Sequence, residues 1–96
     1  MCRNIRTLHH FEPPATREEV HASALQYVRK LTGMNAPSQT NRAAFDAAVE
    51  RITAATLELF DQLEVRGPPR TREEEQRKAA ERGRKRETLL RAKYTR

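Results

Sequence analysis

Between about Gln39 and Glu64 the chain places Phe45, Val49, Ile52, Thr56, Leu59 and Leu63 at steps that alternate between four and three residues. That spacing keeps a stripe on one side of an α-helix and does not fit the two-residue alternation of a half-buried strand. Ala48, Ala55 and Phe60 widen the stripe. At 1.5 Å per residue such a helix would be roughly 39 Å long. It cannot bury its own stripe, so a neighbouring helix or a second copy must cover it.

A neighbour is written upstream. Pro13-Pro14 fixes an extended entry, and Thr16 with Glu19 three residues later forms a capping box. The spacing predicts a first helix over about residues 16–32, with Val20, Ala24, Tyr27, Val28 and Leu31 facing inward. Arg29 and Lys30 suit its last turn, Gly33 suits a left-handed cap, and Met34 can fold back on Val28. Asn35 to Pro37 make a short connection, with Ser38 the expected N-cap of the second helix, over about 38–65. A connection that short makes the two helices antiparallel neighbours. Asp46 and Glu50, four residues apart, repel each other and mark an edge that faces solvent.

Two flanking segments complete the architecture. Ile5, Leu8 and Phe11 recur every third residue and predict an extended N-terminal strap over the open side of the hairpin. After Gly67-Pro68-Pro69, Thr71 with Glu74 repeats the capping signal and predicts a third helix from Arg72. Glu73–Arg77, Glu74–Lys78 and Glu81–Lys85 support it as i,i+4 pairs, and Gly83 is its weak point. Its few apolar residues make no continuous stripe. The expected fold is therefore all-α, with a helical domain over 1–66 and a basic, solvent-exposed tail, helical or partly disordered, over 67–96.

Charge divides the chain at the same place. Through Arg66 there are eight Lys/Arg and eight Asp/Glu, whereas from Gly67 onward there are eleven against five, so the whole net charge of +6 sits in the tail. A neutral body with a cationic appendage predicts a polyanionic partner. The candidate contacts are Arg82, Arg84, Lys85, Arg86, Arg91, Lys93 and Arg96, and the candidate partners are RNA, DNA or a ribosome-like assembly. About five phosphate contacts would give a log–log salt slope near −4.5 on duplex DNA. Tyr94 alone is too little aromatic surface to stack single-stranded bases. A merely solubilising terminus, an acidic protein and a membrane surface are the competing readings of the same run.

Other functions leave weaker marks. No Gly-rich phosphate loop and no Ser/His/Asp set is present, and Glu12, Glu18, Glu19, Glu58, Asp61 and Glu64 are explained by capping and solvation, so an enzyme is not expected. No cofactor is expected either. Zinc or another transition metal would have Cys2, His9, His10 and His21 as ligands, without a CxxC or HxxxH spacing. Loss of Met1 would let the Cys2 thiolate chelate together with its own amine, or act as an N-terminal nucleophile if an oxyanion hole existed. Packing as an inert thiol is the simpler role. A single cysteine, no long apolar run and no apolar leader predict a cytoplasmic protein without a membrane span. The Phe45, Val49, Ile52, Leu59 and Leu63 face offers a further alternative, a helical interaction module that forms a homodimer.

The opening Met1-Cys2-Arg3-Asn4-Ile5-Arg6 and Phe11-Glu12-Pro13-Pro14-Ala15-Thr16 resembles a family of small bacterial proteins known as a domain of unknown function. Ala24-Leu25-Gln26-Tyr27-Val28-Arg29-Lys30 and Pro37-Ser38, with Asn41, Phe45 and Val49, extend the resemblance over roughly residues 1–80. It implies a small helical fold and brings no activity, ligand or catalytic residue. The chain departs from the pattern after Gly83, where Leu89-Leu90 and a further basic run lengthen the tail.

Overall fold

The structure, a computed structural model, describes residues 4–94. Three helices follow one another: α1 (Arg17–Thr32), α2 (Arg42–Gln62) and α3 (Arg72–Tyr94), with a 3-10 turn at Gln39–Asn41 leading into α2. Among the described residues there is no strand, only an isolated parallel bridge between Phe11 and Arg70. The fold is all-α, an α1–α2 hairpin crossed by an extended N-terminal strap.

Local chemistry sets the ends of α1. The Thr16 hydroxyl accepts the Glu19 N–H at 3.2 Å, and the Glu19 carboxylate accepts the Thr16 N–H at 3.0 Å, which closes the capping box. At the far end Gly33 takes φ 70° and donates its N–H to the Arg29 carbonyl. An L side chain there would meet its own backbone, which is why glycine holds the position.

The helices meet along rows spaced by four: Val20, Ala24 and Val28 on α1 against Phe45, Val49 and Thr53 on α2, all buried. Ridges of this kind interdigitate in globular packing, and the small Ala24 in the middle lets the backbones approach. The expected heptad stripe is corrected by this geometry. Following a row of four rotates the inward face of α2, so Thr56 and Phe60 become half-buried while Leu59 and Leu63 stay about half exposed. Phe45 and Val49 are spent on the intramolecular core, with Leu25, Met34 and Ile52 packed around them. The five-residue dimer face is therefore not available as one surface.

Two further expectations need correction. Tyr27 is 46% and Leu31 66% exposed, because the row of α1 that packs on α2 is Val20, Ala24 and Val28, and neither residue lies on it. The second helix begins at Arg42 and ends at Gln62, narrower than 38–65, since Leu63 is already extended and Ser38 heads only the 3-10 turn, where its side chain makes no cap bond.

Leu8 and Phe11 anchor the strap in the core, while Ile5 is 45% exposed. The Ser23 hydroxyl donates to the Asn4 carbonyl, and the His9 ring lies 5.1 Å from that of Phe60. The strap thus bridges α1 and the end of α2.

Candidate functional site

After α2 the chain doubles back to the strap before α3 begins. Arg70 donates its N–H to the His10 carbonyl at 2.8 Å and accepts the Glu12 N–H at 2.9 Å. Its guanidinium donates to the His9 carbonyl at 3.0 Å, and the His10 ring Nε2 lies 3.1 Å from the Gly67 carbonyl. Arg72, the first residue of α3, reaches three partners. It donates to the Pro13 carbonyl at 2.7 Å and to Glu19 Oε1 at 3.1 Å, and its guanidinium lies 5.4 Å from the centre of the Phe11 ring.

Glu19 is the meeting point. Its carboxylate caps α1, pairs with Arg72, and has Arg6 Nη2 at 3.6 Å from its second oxygen. The Thr16 N–H, and then the charges of Arg72 and Arg6, hold its carboxyl below the usual carboxylate range, outweighing the effect of partial burial. One acidic side chain therefore ties the starts of α1 and α3 to the strap.

Neither Arg70 nor Arg72 stood out in the sequence, where both merge with the cations that follow. One signal was legible. A cation in the first turn opposes the helix dipole, so Arg72 at the head of α3 points to a carboxylate elsewhere in the chain. The domain boundary drawn at Gly67 runs through these contacts, since residues 70–72 are held by the strap.

Beyond the junction α3 is exposed. Glu75 is half-buried, 3.7 Å from Arg70 Nε and 4.0 Å from Lys78 Nζ. Arg82, Arg84, Lys85 and Arg86 are exposed, and among the described residues no carboxylate pairs with any of them. Arg91 is bound to Glu87 at 3.0 Å, and Lys93 also has a partner. Arg96 lies outside the described residues. The cationic run is thus densest and least neutralised in the five positions from 82 to 86.

The histidines do not converge. His9 stacks towards Phe60, His10 reaches Gly67, and His21 lies 3.5 Å from Glu50, which also accepts from Arg17. Cys2 lies outside the described residues, and among those described no three His, Cys, Asp or Glu side chains gather as a metal would need. No described helix is long and apolar enough to cross a membrane.

Fold and site together define a class: a small strapped helical hairpin that presents a cationic helix. Within it, the chain belongs to the family described as "Uncharacterized conserved protein (DUF2277)", which matches residues 1–78. That span takes in the strap, the hairpin, Arg70 and Arg72, and stops short of the run at 82–86. No curated protein and no solved structure matches the chain.

Proposed function

We propose that the chain is a non-enzymatic binding protein that contacts the phosphate backbone of a nucleic acid, free or in a ribonucleoprotein, through α3. The observation that carries this reading is the exposed, unpaired set Arg82, Arg84, Lys85 and Arg86. A cation already matched by a carboxylate must give up that partner to reach a phosphate, whereas an unpaired one displaces a counterion from the nucleic acid without that cost. Helical structure also holds them at fixed separations, which lowers the ordering cost of contact. The run has no described aromatic platform beside it, so the contact reads backbone and not base identity.

The test replaces all four with Gln and measures binding to duplex DNA and to RNA at two salt concentrations. Four contacts on duplex DNA correspond to a log–log salt slope of about −3.6. The native chain is expected to show a slope of that order and the variant a slope near zero. Binding that survives the replacement, or that ignores salt, removes the reading.

A second reading, contact with another protein chain, is supported by Leu59, 50% exposed on the last turn of α2, and Leu63, 45% exposed just after it. A homodimer through this narrower face would appear in sedimentation as a concentration-dependent dimer. Leu59→Ser with Leu63→Ser should abolish it. A monomer at all concentrations removes this reading.

A further inference from the structure

A cleft of about 470 Å³ separates the strap from the first half of α3. The buried Leu8 and Phe11 give it an apolar floor, the exposed Ile5 and Ala79 an apolar wall, and the exposed Arg6 and Arg82 also line it. The volume falls in the range of small-molecule sites, which pair an apolar lining with a few placed polar groups.

The charges around the cleft are unequally committed. Arg72 is engaged by Glu19, Pro13 and the Phe11 ring. Glu75 is turned to Arg70 and Lys78. Arg6 is 3.6 Å from Glu19 with 61% of its side chain exposed, a loose pair. Arg82 has no carboxylate partner among the described residues. The cleft is therefore apolar at its base and has an unspent guanidinium at its rim. Its two carboxylates, Glu19 and Glu75, are already neutralised by neighbours.

We propose that this cleft binds a small amphipathic acid, its hydrocarbon part on Leu8, Phe11 and Ala79 and its anionic head on Arg82, with Arg6 assisting. A guanidinium presents two parallel N–H donors to a carboxylate, a geometry an alcohol head cannot use. A purely cationic ligand would meet Arg6 and Arg82, and a purely polar one would leave the apolar floor unused. The site shares Arg82 with the nucleic-acid reading, whose other three cations, Arg84, Lys85 and Arg86, do not line the cleft.

Octanoate is the probe, with octanol as its uncharged counterpart, and binding to the full chain is followed by calorimetry and by thermal shift. Octanoate is expected to bind saturably at one site and to raise the melting temperature, and octanol to bind at least about tenfold more weakly, as loss of one charged hydrogen bond implies. Arg82→Gln should weaken octanoate about tenfold, and Ala79→Phe should block it by projecting a ring into the cleft. Lys85→Gln with Arg86→Gln should leave octanoate binding unchanged, which separates the cleft from the phosphate-binding run. Both altered positions are exposed on α3, and circular dichroism verifies that each variant keeps its helix. Equal binding of octanol, no saturable binding, or full binding by folded Arg82→Gln or Ala79→Phe would overturn the proposal.

Discussion

Arg72 Nη2 stands 3.1 Å from Glu19 Oε1, so the first residue of α3 is paired with the carboxylate that caps α1. Two helix starts, more than fifty positions apart in the chain, share one acidic group. Four predictions follow from this relationship and its surroundings.

Glu19 should give the protein a stability term that depends on acid. Its carboxyl is held below the ordinary value of 4.5 in the folded chain. The term is therefore complete above that value and is lost as the pH falls below it through the lower folded value. In denaturant titrations the gap between the native chain and Glu19→Gln should be open at neutral pH and close at strongly acid pH. A double cycle with Arg72→Gln should give a coupling of no more than about 1 kcal/mol, since both partners touch solvent. A gap that is the same at all pH values would show that Glu19 does not act through its charge.

Phe11 should be the main anchor of the strap. It is 8% exposed, with the Arg72 guanidinium over its ring. Phe11→Ala should cost about 3 kcal/mol, near the lower end for a buried aromatic. Ile5→Ala, at a position 45% exposed, should cost far less. Equal melting temperatures for the native chain and Phe11→Ala would mean that the strap does not support the hairpin.

The interface between α1 and α2 separates two kinds of burial. Val20 and Thr53 are 1% and 0% exposed. Val20→Ala should cost about 2 kcal/mol through lost contacts and the cavity left behind. The Thr53 hydroxyl donates at 2.7 Å to the Val49 carbonyl, which the helix already bonds. Thr53→Val should therefore stay within about 1 kcal/mol of the native chain. A large loss for Thr53→Val would reveal a hydroxyl partner other than Val49.

The glycines Gly33 and Gly83 should respond with opposite signs. An added Cβ meets nothing within 4 Å at either, so backbone conformation decides. Gly33 sits at φ 70°, and Gly33→Ala should cost about 1 kcal/mol. Gly83 lies inside α3, where Gly83→Ala should stabilise the helix by up to about 1 kcal/mol. Circular dichroism melting of both variants reads the two signs directly.

What was legible in the sequence and what was not follow the range of the interactions. The Thr16–Glu19 box, the Gly33 cap and the start of α3 after Thr71 all appear where the local pattern places them, whereas α2 stops at Gln62, before Pro68-Pro69 is reached. The run at Arg82–Arg86 was legible too, as charge. The phase of α2 was not: alternating steps of three and four describe a stripe, but only contact with α1 decides which row of four packs. Leu59 and Leu63 are misplaced by that uncertainty, and Tyr27 and Leu31 by the same uncertainty about the packing row on α1, each being apolar enough for either side. The partners of Arg70 and Arg72 were illegible for another reason, although the dipole at the head of α3 pointed to some carboxylate for Arg72. Those partners are strap carbonyls and Glu19, and no periodicity links a guanidinium to an acceptor 53 positions away.

By itself, then, the order of residues determined helix boundaries to within a few positions, the turn between α1 and α2, and the electrical asymmetry of the two ends. Each is set by hydrogen bonds and steric limits that reach no more than four residues, or by a simple count of charge. Tertiary structure alone decided which apolar side chains are covered, where α3 is moored, and that a cleft opens between it and the strap. Those depend on how whole surfaces fit once the backbone is folded, and a side chain's share in that fit is fixed by neighbours remote from it in the chain.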